Sequence, residues 1–116
     1  MTRDLPDHLS LPETAELLDC RLRDVRTMLG DRRLLAVRHD GPLVISSDQL
    51  VRTGEGYDVL GNLRGTLMLL ADSGFSDEEA DAFLHRTEPE LGETPIAALR
   101  AGRHRAVRRV VVGLAF

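Results

Sequence analysis

Near the N-terminus, apolar residues recur at helical spacing in two short bursts. Leu11, Ala15 and Leu18 fall on one face of a helix. Its start is written into Ser10-Leu11-Pro12-Glu13: the Ser10 hydroxyl can accept from the Glu13 amide, Glu13 can reach back, and Pro12 lies in the first turn, where a missing N–H costs little. This helix is expected to end near Asp19-Cys20. Leu22, Val25, Met28 and Leu29 then repeat at i, i+3, i+6 and i+7 and predict a second helix on that apolar stripe. Two short helices joined by about three or four residues read as a helix-turn-helix.

The period then shifts. Leu34-Leu35-Ala36-Val37-Arg38 predicts a strand, His39-Asp40-Gly41-Pro42 is turn chemistry, and Leu43-Val44-Ile45 predicts the returning strand. Ser46-Ser47-Asp48 offers N-cap residues for a further short helix through Leu50 and Val51. Helix, turn, helix, hairpin, helix is the order of a winged helix-turn-helix, with the hairpin as the wing. Thr53-Gly54-Glu55-Gly56-Tyr57 carries two glycines between periodic segments and reads as a linker. The expected organisation is a winged helix-turn-helix over 1–53 and a helical domain over 58–116.

Helical spacing dominates the second half. Leu60, Leu63, Leu67 and Leu70 form a stripe that stops at Ser73-Gly74, where glycine can adopt a left-handed cap. Ser76-Asp77-Glu78-Glu79 is a second capping box, followed by Ala80, Phe83 and Leu84 on one face. Thr94-Pro95 opens a short helix with Ile96 and Leu99, closed by Gly102. Val110-Val111-Val112 alone suits a strand, but Val107, Val110, Val111 and Leu114 continue a helical stripe, so a last helix is expected. The fold class is mainly α, with one small hairpin.

Charge refines this picture. All 15 basic residues are arginine, and the net charge of −4 argues against a nonspecific polyanion binder. The charges are segregated: Asp72 to Glu93 holds eight acids and one arginine, whereas Arg100, Arg103, Arg105, Arg108 and Arg109 follow with no acid among them. In a helix-turn-helix the second helix enters the major groove and presents what its core stripe leaves outside. Here that set is Arg21, Arg23, Asp24, Arg26 and Thr27. The planar fork of arginine can bond a guanine edge or clamp a phosphate. Arg32, Arg33, Arg38 and His39 lie on the path into the wing, where they can hold adjacent phosphates. The competing account is an ordinary solvated face, paired with Asp19, Asp24 and Asp31. Arg105, Arg108 and Arg109 share the polar side of the last helix. They suit either a second phosphate contact or intramolecular pairing with the acidic stretch.

Other chemistry finds little support. Histidines 8, 39, 85 and 104 are scattered, and Cys20 is the single cysteine, so neither metal ligation nor a disulfide is expected. Cys20 falls where a small core residue belongs. No nucleophile elbow or phosphate-cradling glycine loop is present, and the carboxylates of 76–93 read as a solvated helix face. No catalysis and no cofactor are expected. Only Tyr57, Phe75, Phe83 and Phe116 are aromatic, too few for a base-stacking single-strand binder. No apolar run approaches about 20 residues, and Met1 to Ser10 lacks a signal-like stretch, so a cytoplasmic location without membrane association is expected.

Ala15-Glu16-Leu17-Leu18, Val25, Leu34-Leu35-Ala36-Val37-Arg38 and the Gly41 turn resemble excisionase-like winged helices. With Leu67 to Gly74-Phe75, Phe83-Leu84, Thr87-Glu88-Pro89, Pro95-Ile96-Ala97-Ala98-Leu99 and Val107-Arg108-Arg109 in the same order, nearly the whole chain resembles an actinobacterial family of small DNA-binding proteins typified by a mycobacterial serine/threonine kinase substrate. The resemblance implies double-stranded DNA as a partner and a serine/threonine kinase as a second one. Two departures stand out. About ten residues precede the first helix, where the mycobacterial relative has a long arm through which kinase regulation would act. Asp31-Arg32-Arg33 stands where the family tends to close the recognition helix with glycine; here the glycine is Gly30. The helical half also resembles, more loosely, toxin-binding domains of antitoxins. Two functions are therefore expected to compete: a DNA-binding regulator of transcription or of the nucleoid, and a protein-interaction module that uses the C-terminal helices.

Overall fold

The structure, a computed structural model, describes residues 5–114. The chain divides into two compact units between Val59 and Leu60.

The first unit begins with a strand that helical periodicity does not reveal, β1 (His8–Ser10). Ser10 then caps α1 (Leu11–Leu17) with the expected reciprocal bonds: its hydroxyl accepts from the Glu13 N–H at 3.1 Å, and Glu13 accepts from the Ser10 N–H at 2.8 Å. Next come α2 (Leu22–Gly30), β2 (Val37–Arg38) and β3 (Leu43–Ser46). The three strands form an antiparallel sheet in the order β1-β3-β2, with Leu9 opposite Ile45 and Val37 opposite Val44. Leu9, Val25, Leu34 and Ile45 are almost wholly removed from water, with Ala15 and Leu50 beside them. Each large side chain so buried contributes roughly 1.5–3 kcal/mol. This core holds α1 and α2 against the sheet.

Three sequence expectations are corrected here. The strand expected from Leu34 shrinks to Val37–Arg38, because the backbone of Leu35 bonds a side chain instead of a neighbouring strand: the Gln49 amide accepts from the Leu35 N–H at 2.8 Å and donates to the Leu35 carbonyl at 2.9 Å. The short helix expected through Leu50 and Val51 is one 3-10 turn, Ser47–Gln49, followed by β4 (Leu50–Arg52). The supposed linker is the turn of a second hairpin. Thr53 donates its N–H to the Gly56 carbonyl at 2.8 Å, and β5 (Tyr57–Val59) returns along β4, with Leu50 opposite Val59 and Arg52 opposite Tyr57. The β-branched Val51 and Val59 and the aromatic Tyr57 favour this cross-strand pairing over a helix turn. Tyr57 to Val59 thus stays with the first unit.

The second unit is helical among its described residues: α3 (Leu63–Asp72), α4 (Asp77–Leu84), α5 (Pro95–Arg100) and α6 (His104–Leu114). The Ser76–Glu79 capping box and the Thr94 cap form as their residues predict. Gly74 adopts φ +92° and Gly102 φ +82°. Their neighbours Phe75 and Arg103 donate N–H groups back to Leu70 and Ala98 at 3.0 and 2.8 Å, so glycine closes both helices. The valine run is helical: Val107, Val110 and Val111 are buried while Val112, one step round, is exposed. α6 packs on α3 and α5, and α4 also packs on those two helices.

Candidate nucleic-acid interface

The turn between α1 and α2 is closed without glycine. Asp19 takes φ +55°, which lets its own N–H reach the Glu16 carbonyl and the Cys20 N–H reach the Ala15 carbonyl, at 3.1 and 3.0 Å. Aspartate tolerates this left-handed conformation better than most residues. The end of α2 repeats the motif with a less suited residue. Arg32 takes φ +61°, and the N–H groups of Arg32 and Arg33 return to the carbonyls of Leu29 and Met28 at 3.2 and 2.9 Å. Gly30 is the last helical residue, so the left-handed position is Arg32, two residues later. The loop into the wing starts there.

α2 therefore presents a defined outer face. Val25 is buried and Met28 and Leu29 are half-buried against the core, which leaves Arg23, Arg26 and Thr27 exposed at i, i+3 and i+4. Thr27 donates its hydroxyl to the Arg23 carbonyl at 3.0 Å, which leaves its methyl group as the outward part. Asp24 does different work from the one expected of it: its carboxylate accepts from the Arg21 N–H at 3.0 Å and so caps the N-terminus of α2, where a negative charge is favoured by the helix dipole. Asp24 is a cap of α2, half-buried, and not part of its outer face.

The guanidinium groups of Arg21, Arg23, Arg26 and Arg33 are exposed and make no ion pair among the described residues. The expected alternative, a face neutralised by Asp19, Asp24 and Asp31, is not how these four side chains are disposed. Arg32 is half-buried. In the wing, Arg38 donates from Nη1 to the Gly41 carbonyl at 3.1 Å, bracing the turn while its other N–H groups stay available. Asp40 takes φ +60° in that turn. His39 is exposed, with its ring 4.8 Å from that of His8 on the edge strand β1.

Two features escape a reading by periodicity. Leu22, assigned to the core stripe, is 37% exposed at the first position of α2; in helix-turn-helix proteins generally, that end of the second helix faces base edges. A stripe position at a helix's first residue need not face the core, since the chain enters there from outside. Arg52 and Tyr57 are the pair next to the turn of the second hairpin, where Arg52 donates to the Tyr57 hydroxyl at 3.1 Å with its guanidinium 5.6 Å from the ring. Neither was legible while 53–57 read as a linker.

Cys20, in the turn before α2, is half-buried; burial, then the Asp24 and Asp19 carboxylates, push its thiol above the ordinary value. It is a packing residue. Arg105, Arg108 and Arg109 lie on the exposed side of α6 in the second unit. Among the described residues, no group of His, Cys, Asp and Glu has the arrangement to hold a metal ion, and no helix is long and apolar enough to cross a membrane.

This arrangement has counterparts. Residues 3–48 match the family described as "DNA-binding protein Rv2175c, wHTH domain", and residues 60–115 match "Rv2175c C-terminal domain of unknown function". The chain is 31% identical over 118 residues to the DNA-binding protein Rv2175c of Mycobacterium tuberculosis, spanning 91% of this chain and 79% of that protein. It superposes on the NMR structure of Rv2175c with a TM-score of 0.83 at 30% identity, covering 100% of this chain and 85% of the other. The winged helix-turn-helix fold and the C-terminal helical part are those expected from the residue pattern, and the chain belongs to the Rv2175c family.

Proposed function

We propose that this protein binds duplex DNA in the cytoplasm, with α2 in the major groove and the β2/β3 hairpin beside the neighbouring backbone, as a regulator of transcription or of nucleoid structure. The observation that carries the reading is the outer face of α2. Arg23 and Arg26 stand exposed and without ion pairs among the described residues, although Asp19, Asp24 and Asp31 are close in sequence. Arginines left unneutralised can take guanine edges or phosphates. Arg21, Arg32, Arg33, Arg38 and His39 supply the flanking phosphate contacts in this scheme. The test is a fluorescence-anisotropy titration of labelled duplex across a salt series. Binding weakens steeply with salt, and replacing Arg23 and Arg26 by alanine makes the slope of log affinity against log salt shallower by about 0.9 per lost phosphate contact. Unchanged affinity in that variant removes α2 from the interface.

A second reading, a protein-interaction module, is favoured by one feature of the second unit. Phe75 and Phe83 meet edge to face at 6.2 Å beneath an open groove of about 340 Å³ that Glu79, Ala82 and Arg86 also line. Recovery of a partner that survives nuclease, with no shift of duplex DNA, favours that reading. Regulation by a serine/threonine kinase rests on the family resemblance, and phosphopeptide mapping of the protein from its host tests it.

A further inference from the structure

The second unit is close to neutral: seven arginines, from Arg64 to Arg109, stand against eight acids, from Asp72 to Glu93. Its charges are nevertheless kept apart. α4 opens with Asp77, Glu78 and Glu79, all exposed. Arg103, just before α6, is held by the Glu93 carboxylate at 2.6 Å and the Leu91 carbonyl at 3.0 Å. Beyond it, Arg105, Arg108 and Arg109 recur at i, i+3 and i+4 on one exposed face of an 11-residue helix. Among the described residues they make no ion pair, so the acidic stretch of the same unit leaves them unneutralised.

We infer that this face of α6 is a second contact to the phosphate backbone of duplex DNA, made by Arg105, Arg108 and Arg109. The inference rests on the proposed DNA binding by the first unit and gives a role to the second. A lipid surface is a poor fit: an interfacial helix inserts a whole apolar face, and here Val107, Val110 and Val111 are buried, which leaves only Val112 and Leu114 as exposed large apolar residues of α6. The outward side carries a row of three guanidinium forks, with Val112 and Leu114 exposed beyond them near the C-terminal end, and guanidinium geometry matches phosphate oxygens. Because both units are one chain, a contact by α6 to DNA already held by α2 is intramolecular, so contacts individually weak add to the affinity. A lone helix-turn-helix touches few base pairs, and a tethered backbone contact lengthens the footprint without adding base specificity.

The test uses the full chain on one labelled duplex over a salt series. Replacing Arg105, Arg108 and Arg109 together by alanine makes the salt slope shallower by up to about 2.7, at about 0.9 per phosphate. Base preference, selected from a random duplex pool, stays as in the wild type. Each single replacement carries about a third of the change, so the test does not depend on the triple variant folding. Arg86→Ala, an exposed arginine of the same unit outside α6, leaves the slope unchanged. A wild-type slope in the triple variant, or an equal effect of Arg86→Ala, overturns the inference. So does a triple variant that binds DNA normally but loses an acidic protein partner. If Arg23 and Arg26 replacements weaken binding while the α6 replacements do not, the first unit's function stands and this inference alone fails. If the wild type binds no duplex, both fall.

Discussion

The side-chain amide of Gln49 holds the backbone of Leu35 from both sides, accepting its N–H at 2.8 Å and donating to its carbonyl at 2.9 Å, and the same nitrogen bonds the Ser46 hydroxyl at 3.0 Å. Both residues are buried. A side chain here replaces a strand, and it ties the loop after α2 to the turn after β3. That loop carries Arg32 and Arg33 into the wing.

Removing this clamp leaves two buried backbone groups without partners. Gln49→Ala is therefore expected to lose at least about 2 kcal/mol of stability, read as a lower urea midpoint with the slope of the transition unchanged. Gln49→Glu keeps the acceptor but cannot donate when ionised and buries a charge, so its deficit is larger at neutral pH and shrinks in acid, where a protonated carboxyl restores a donor.

Arg32 stands at a left-handed position, φ +61°, where glycine carries no steric penalty. Arg32→Gly is expected to raise stability by about 0.5–1 kcal/mol, the relieved strain being partly offset by backbone entropy. With Arg32 among the proposed phosphate contacts, the same variant binds DNA more weakly. Thermal melting and anisotropy should thus move in opposite directions.

Leu22 and Leu34 look alike in the sequence and differ in place. Leu34 is 1% exposed, and its replacement by alanine is expected to cost about 2–5 kcal/mol. Leu22 is 37% exposed, so Leu22→Ala costs less, about 1–2 kcal/mol. In the proposed complex its methyl groups face base edges, where thymine offers the C5-methyl. Sequences selected from a random duplex pool are expected to lose a fixed thymine in the Leu22→Ala variant.

Burial and two flanking carboxylates hold the Cys20 thiol protonated to higher pH than an ordinary cysteine. Its alkylation at neutral pH is expected to be slower than that of the unfolded chain, and its rate to rise at a pH above the ordinary thiol titration. The sign for stability follows. The folded thiol holds its proton more tightly than the unfolded one, so the contribution is complete below the unfolded value and is lost as pH rises through the folded one.

Four helix starts illustrate how much local chemistry reveals. Ser10, Ser76 and Thr94 cap as their neighbours predict, because each cap is closed within three residues of itself. Gly74 and Gly102 end helices for the same local reason. The start of α2 breaks the pattern: Asp24 carries the cap from inside the helix, and by residue type it reads equally well as a groove contact. The exposed Arg23, Arg26 and Thr27 were legible because Val25 fixes which face is inward.

Helices and their ends, with the arginine content of their outer faces, are thus properties of short stretches of chain, since the bonds that make them span three or four residues. Packing settled the remainder. β1 exists because β3 pairs with it, β4 and β5 exist because they pair with each other, and Leu35 leaves the sheet because Gln49, 14 residues away, satisfies its backbone first. A three-residue strand has no period of its own, and which partner a peptide group takes depends on what the fold brings beside it. The same holds for charge: only the folded chain shows that Glu93 takes Arg103 and leaves the arginines of α6 to solvent.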